Sequence, residues 1–250
     1  MQALHKEMPC ESTIYLGDLA RCPYGVRPQE EVRRFALQVG DMLADGGIKA
    51  LVVACNTATA AAYEELAARY PFPVIGVIGP GARAGVRLTR TCRIGVVATD
   101  GTVSSGAYRS AILGALPDAH VVERSASWLV PMIERGPLAR ARVAKELAPM
   151  LLDMRREGID VLILGCTHFP IVRDIFEAEV GAEVTVIDSA VTTAQEVARL
   201  LRRLDMEGTG RPTHRLLVTG PAEAFAERAQ AMFRASPIIE TVDLELDPVP

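Results

Sequence analysis

Short apolar runs rich in Val and Ile recur along the 250-residue chain, separated by longer stretches whose apolar positions return every three to four residues. The runs predict strands at Thr13–Gly17, Ala50–Ala54, Val74–Val77, Ile94–Ala98, Val121–Glu123, Val161–Leu164, Val184–Ile187, Leu216–Thr219 and Glu240–Leu244. Pro28 stands at a first helical position before EEVRRFALQVGDMLAD, and Gly46-Gly47 ends that helix. The same spacing predicts helices over Ala58–Arg69, Gly81–Leu88, Val103–Leu113, Leu138–Glu157, Ile171–Glu179, Thr192–Leu204 and Ala222–Phe233. A strand–helix alternation of this kind makes an α/β protein with mostly parallel sheets covered by helices on both faces. Ligands of such sheets bind beyond the carboxyl ends of the strands.

One strand end lies in LVVACNTATA, where Cys55 is followed at once by Asn56, Thr57 and Thr59. Taken alone, this is a small buried residue followed by turn and cap chemistry. A second segment changes that reading. GIKALVVACNT (Gly47–Thr57) aligns without a gap with GIDVLILGCTH (Gly158–His168), and Gly, Ile, Leu and Cys coincide. The repeat implies two related halves, each with a cysteine at the top of an equivalent strand.

Composition narrows the remaining classes. Lys and Arg number 27 against 31 Asp and Glu, so the net charge of −4 gives no expectation of nucleic acid or an anionic membrane surface as partner. There is no apolar stretch of 18 residues or more, and MQALHKEMPC lacks a signal-peptide core, so a cytoplasmic location is expected. The five cysteines (10, 22, 55, 92 and 166) include no CxxC pair, which fits reduced thiols. GPGARAG (Gly79–Gly85) lacks the lysine of a phosphate loop and reads as a hinge or helix entry.

Two symmetry-related thiols suit a reaction that removes a proton from one face of a carbon and returns one to the other. The α-carbon of an amino acid is such a centre, and reversal exchanges the two roles. At an unperturbed pKa of about 8.5 only roughly 3 % of a thiol is ionised at pH 7, so helix N-termini, hydrogen-bond donors or an imidazolium must raise the thiolate fraction. A metal site built on Cys55, Cys166 and His168 is the weaker reading, because only three strong ligands converge and Asn and Thr neighbours suit an organic substrate better.

ACNTATA, LGCTHFP and the upstream YLGDLARCPYG (Tyr15–Gly25) resemble the signature segments of the cofactor-independent glutamate racemases, in the aspartate/glutamate racemase family. The tail LLVTGPAEAFAERAQAMF is similar to their last strand and helix, so the resemblance spans essentially the whole chain. It implies two pseudo-symmetric, doubly wound αβα domains, 1–79 together with 189–250 and 80–188, with the active site between them. It also implies interconversion of L- and D-glutamate, supplying D-glutamate for peptidoglycan, with no cofactor and no metal, in a homodimer. Cys55 and Cys166 match the catalytic thiols, and His168 the imidazole that assists the second. Tyr24, Gly25, Asn56, Thr57 and Thr167 match substrate-binding positions, and Asp18, Thr99 and Glu134 supporting ones. Related aspartate racemases place histidine after the first Cys-Asn-Thr and glutamate after the second Cys-Thr. Thr59 and His168 stand there, favouring glutamate over aspartate as substrate.

One departure stands out. Racemases of this kind open with a strand ending in Asp-Ser-Gly, and no such segment precedes YLGDLARCPYG here. MQALHKEMP has instead the spacing of the back of the helix that would follow such a strand. The resulting expectation is a first sheet short of backbone partners and a poorly active chain, in the limit a glutamate-binding or regulatory protein.

Overall fold

The computed structural model describes residues 1–222, residue 225 and residues 238–244. In chain order it runs α1 (Gln2–Glu7), β1 (Thr13–Gly17), α2 (Gln29–Asp45), β2 (Leu51–Val53), α3 (Asn56–Arg69), β3 (Val74–Gly76), α4 (Ile78–Leu88), β4 (Arg93–Ala98), α5 (Asp100–Ser104) and α6 (Ala107–Ala115). It continues with β5 (His120–Ser125), α7 (Leu129–Glu134), α8 (Arg140–Arg156), β6 (Val161–Gly165), α9 (Arg173–Val180), β7 (Thr185–Asp188), α10 (Ser189–Arg203), β8 (His214–Val218) and β9 (Ile239–Thr241). The helix expected over Ala222–Phe233 lies almost wholly outside the described residues.

One sheet has four parallel strands in the order β5-β4-β6-β7. Its central strands are buried on both faces, as their unbroken Val, Ile and Leu runs require. Alternate residues point to opposite sides. Ile94, Val96, Val161 and Ile163 pack with Ile78, Ala82, Tyr108 and Ile112 of α4 and α6. Val97, Leu162 and Leu164 face Leu147, Leu151, Met154 and Phe176 of α8 and α9. The remaining strands form two parallel ladders among the described residues, β1-β8-β9 and β2-β3. Ile14 and Leu16 of β1 share an apolar cluster with Leu51 and Val53 of β2, beneath Val32 and Leu43 of α2. The fold is thus a two-lobed α/β structure in which β8 returns to pair with the first long strand of the chain.

The element order follows the sequence pattern, with local differences. The expected helix over Val103–Leu113 is broken: Gly106 takes a left-handed conformation (φ 66°) and separates α5 from α6. Leu138 lies in a 3₁₀ turn, Pro137–Ala139, before α8 begins at Arg140. A 3₁₀ turn over Phe169–Val172 likewise precedes α9. Helix α7 is too short to show a period and is absent from the sequence-based expectation. Among the described residues no helix is long and apolar enough to cross a membrane.

Asp160, just before β6, ties the end of α4 to the sheet. Its carboxylate accepts from the Thr89 hydroxyl (2.6 Å) and the backbone N–H groups of Arg90 (2.5 Å) and Thr91 (2.8 Å). Burial pushes its pKa up, but these donors outweigh that effect and hold it below the ordinary carboxylate value. A depressed folded pKa stabilises the protein above the unfolded value and is lost as pH falls through the folded one. Asp160→Asn is therefore expected to cost about 1–2 kcal/mol at pH 7. In urea denaturation the gap from the parent protein narrows as pH drops below about 4. A gap independent of pH would contradict this.

Candidate active site

Cys55 ends the β2 segment and caps α3, its backbone extended (φ −86°, ψ 128°) and its sulfur accepting the Ala58 N–H at 3.5 Å. Burial is the main influence on this thiol and raises its pKa. The N–H groups of Ala58 and Thr57 and the Thr57 hydroxyl work in the opposite direction, toward the thiolate. Thr59, one turn on, donates to the Val53 carbonyl (3.0 Å) and accepts from the Val77 N–H (3.3 Å). It stitches β2 to the start of α4, and both its hydrogen bonds are spent there.

Cys166 occupies the matching place after β6. Burial pushes its pKa up to about 12. The backbone N–H groups of His168 and Phe169, at the start of the 3₁₀ turn, pull it down, and the charge of Cys55 adds to the rise. The His168 ring bridges Cys166 and Glu134: Nδ1 lies 3.9 Å from the sulfur and Nε2 3.3 Å from Glu134 Oε1. With Nε2 carrying its proton toward the carboxylate, Nδ1 offers a lone pair to the thiol proton. Thr167 is exposed between the two.

Asn56 and Thr57 form the first turn of α3 and are buried. Asn56 Oδ1 accepts from the Tyr108 hydroxyl (2.8 Å), while its Nδ2 is buried with no partner among the described residues. The Thr57 hydroxyl lies 2.9 Å from that of Thr99 and 3.3 Å from that of Thr102, and the latter two are 3.2 Å apart. These threonines come from α3 and from the β4–α5 junction, so they join the two lobes. The Gly25 carbonyl makes a second link, accepting the Gly101 N–H at 2.9 Å.

Tyr24 and Asp18 belong to the loop that carries Gly25. Asp18 accepts from the Tyr24 hydroxyl, from Arg21 Nε (2.6 Å) and from the Thr219 hydroxyl (2.7 Å). Arg21 is itself buried and stacks on Phe35, 4.2 Å from the ring centre. In this structure Asp18 braces the loop from below, while Tyr24 lies close enough to Cys55 to feel its charge. Cys22, with no role expected from its sequence, also neighbours the cleft. Packing around its sulfur, followed by the charges of Cys55, Asp18 and Glu134, pushes its thiol up to about 11.

Tyr108 and Thr102 escape a sequence reading. Tyr108 sits four residues before Ile112 and reads as one more apolar position of a helix, and Thr102 as a helix-start residue. Among the described residues, no three or more His, Cys, Asp or Glu side chains converge as metal ligands would.

Two parallel-sheet lobes thus each present a thiol on the N–H groups of a helical turn. The chain belongs to the Asp/Glu/Hydantoin racemase family, whose sequence profile matches residues 1–197. It is 44% identical over 229 residues to a glutamate racemase of Enterococcus faecalis, covering 90% of this chain and 84% of that one. A glutamate racemase of Oceanobacillus iheyensis is 43% identical over 243 residues, 93% of this chain and 86% of its own. Among solved structures, a glutamate racemase of Bacillus anthracis superposes with a TM-score of 0.95 at 36% identity, covering 98% of this chain and 93% of that one. One of Francisella tularensis, in complex with D-glutamate, gives 0.87 at 31% identity over 98% and 92%.

Proposed function

We propose that this chain is a cofactor-independent glutamate racemase working through two thiols, Cys55 and Cys166. The observation that carries the reading is their placement: equivalent strand ends, each sulfur on backbone N–H donors, and each near enough for the charge of Cys55 to act on Cys166. The similarity to glutamate racemases over nine-tenths of the chain supports glutamate as substrate.

One thiolate takes the α-proton, so the Cα–H bond breaks and an S–H bond forms, and the electron pair delocalises into the α-carboxylate. The opposing thiol gives its proton to the other face and becomes the thiolate. His168, oriented by Glu134, holds and returns the Cys166 proton. The unpartnered Nδ2 of Asn56, with Thr57, Thr167 and the Gly25 backbone, holds the substrate's carboxylates. The lobes are assigned as 1–79 with 189–250 and 80–188, a division supported by the self-contained β5-β4-β6-β7 sheet and the return of β8 to β1. The assigned context is a cytoplasmic homodimer supplying D-glutamate for peptidoglycan synthesis.

In deuterium oxide each glutamate enantiomer should yield its mirror image with deuterium at Cα. Both thiols titrate above their ordinary value, so the thiolate fraction grows with pH, and kcat/KM should rise between pH 6 and pH 8 by up to about tenfold per unit. Racemisation without solvent deuterium, or a rate that falls over that range, would refute the two-thiol reading.

A further inference from the structure

The Asn56 amide has two nearly isosteric orientations, one presenting a donor to the cleft and the other an acceptor. A carboxylate is held by only one of them. Something must therefore choose, and among the described residues the one hydrogen-bond partner of that side chain is the Tyr108 hydroxyl.

We propose that Tyr108 is the positioning residue for Asn56, fixing its amide so that Nδ2 is offered to the substrate; this rests on the reading of Asn56 as a substrate-binding residue. Tyr108 is fully buried in α6, and its hydroxyl lies 2.8 Å from Asn56 Oδ1. A phenol can donate or accept, and its surroundings decide which. Burial keeps the hydroxyl protonated by raising its pKa, and the charges of Cys166 and Asp188 act in the same direction. The hydroxyl has one side-chain partner within hydrogen-bonding distance among the described residues, and that is Asn56 Oδ1. Kept protonated, the phenol sends its proton to Oδ1, and Nδ2 turns away. That Nδ2 is buried and unpartnered is the observation this orientation accounts for.

Two glycines make the placement possible. A Cβ on Gly81 would lie 3.2 Å from the Tyr108 hydroxyl oxygen, and one on Gly165 would lie 3.0 Å from the ring and 2.9 Å from Ala98 Cβ. Gly165 precedes Cys166, so one ring rests on the backbone that carries the second thiol and bonds to the residue after the first. Tyr108 thereby couples the geometry of the substrate amide to the closed arrangement of both strand ends.

The test combines Tyr108→Phe, Asn56→Ala and the double variant, read by kcat and KM for each glutamate enantiomer and by glutamate Kd from calorimetry. Tyr108→Phe is expected to raise KM and Kd about tenfold with kcat within about threefold, consistent with loss of one hydrogen bond that fixes a buried donor. Asn56→Ala should raise them at least as much, and adding Tyr108→Phe to it should cost nothing further. Asn56→Asp, which keeps an acceptor for the phenol but has no donor to offer a carboxylate, should raise KM and Kd severalfold and provides a second reading if Tyr108→Phe folds poorly. The inference falls if Tyr108→Phe and Asn56→Asp leave KM and Kd unchanged, if the double variant is additive, or if Asn56→Ala binds normally. Turnover absent in the parent protein, with the Kd shifts as expected, would instead refute the racemase reading and leave this inference standing.

Discussion

Cys55→Ser and Cys166→Ser each stop racemisation, and they leave opposite halves of the reaction behind. A serine hydroxyl has nearly the shape of the thiol but titrates far above it, so it can neither take the α-proton nor present a ready acid. The loss expected for removing one acid–base group is on the order of 10²–10⁴ in kcat/KM. The remaining thiol still faces one side of the α-carbon. Each variant should therefore go on exchanging the α-proton of one enantiomer with solvent, slowly and without inversion, and the two variants should choose different enantiomers. Proton NMR in deuterium oxide reads both quantities in one experiment. Thermal melting should scarcely change, because Cys55 caps α3 through its sulfur and a hydroxyl can accept the same Ala58 N–H. Full racemisation by either variant, or the same enantiomer exchanged by both, would end the two-thiol account.

Gly25→Ala acts without touching either thiol. A Cβ at this position would stand 2.6 Å from Thr99 Cβ and 2.7 Å from its Cγ2. No rotamer of Thr99 moves its Cβ, so the backbone must give. The segment that gives is the link between lobes, because the Gly25 carbonyl accepts the Gly101 N–H and Thr99 holds the Thr57 hydroxyl. Thr57 in turn supports Cys55. Displacements of about 1 Å in a catalytic array cost on the order of 10²-fold in rate. The expected result is a loss of that size in kcat/KM, with about 1–3 kcal/mol of stability lost to overpacking. Adding Thr99→Gly to Gly25→Ala removes the obstructing Cβ and should restore part of the stability. Wild-type kcat/KM in Gly25→Ala would show that the Gly25–Thr99 approach has no part in the site.

Much of this molecule is legible along the chain. The β4 and β6 runs read as strands because both faces are buried and nearly every residue is apolar. Cys55 and Cys166 stand out because the two segments share one pattern, and a helical turn follows each. What failed locally failed for local reasons. Gly106 ends α5 by a left-handed turn that a helical spacing count passes over, and α7 is under two turns long.

Asp18 illustrates a different gap. The family resemblance implied a supporting carboxylate at the site; in the structure Asp18 accepts from Arg21, Tyr24 and Thr219 and braces the loop that carries Gly25. Thr219 is about two hundred positions away in the chain, so no window of sequence contains both. Glu134 meets His168 across 34 positions, and Tyr108 meets Asn56 across 52, still beyond the reach of any local pattern.

The sequence by itself determined the strand–helix alternation and with it the parallel sheets, which follow from side-chain periodicity within a dozen residues, and the two thiols at strand ends, which a repeated segment marks. The tertiary structure alone decided how deeply each sulfur is buried and which remote groups meet around them: Glu134 with His168, Tyr108 with Asn56 and Thr99 with Thr57. Those depend on distances and desolvation between segments remote in the chain, and they come into being only when the two lobes close on one another.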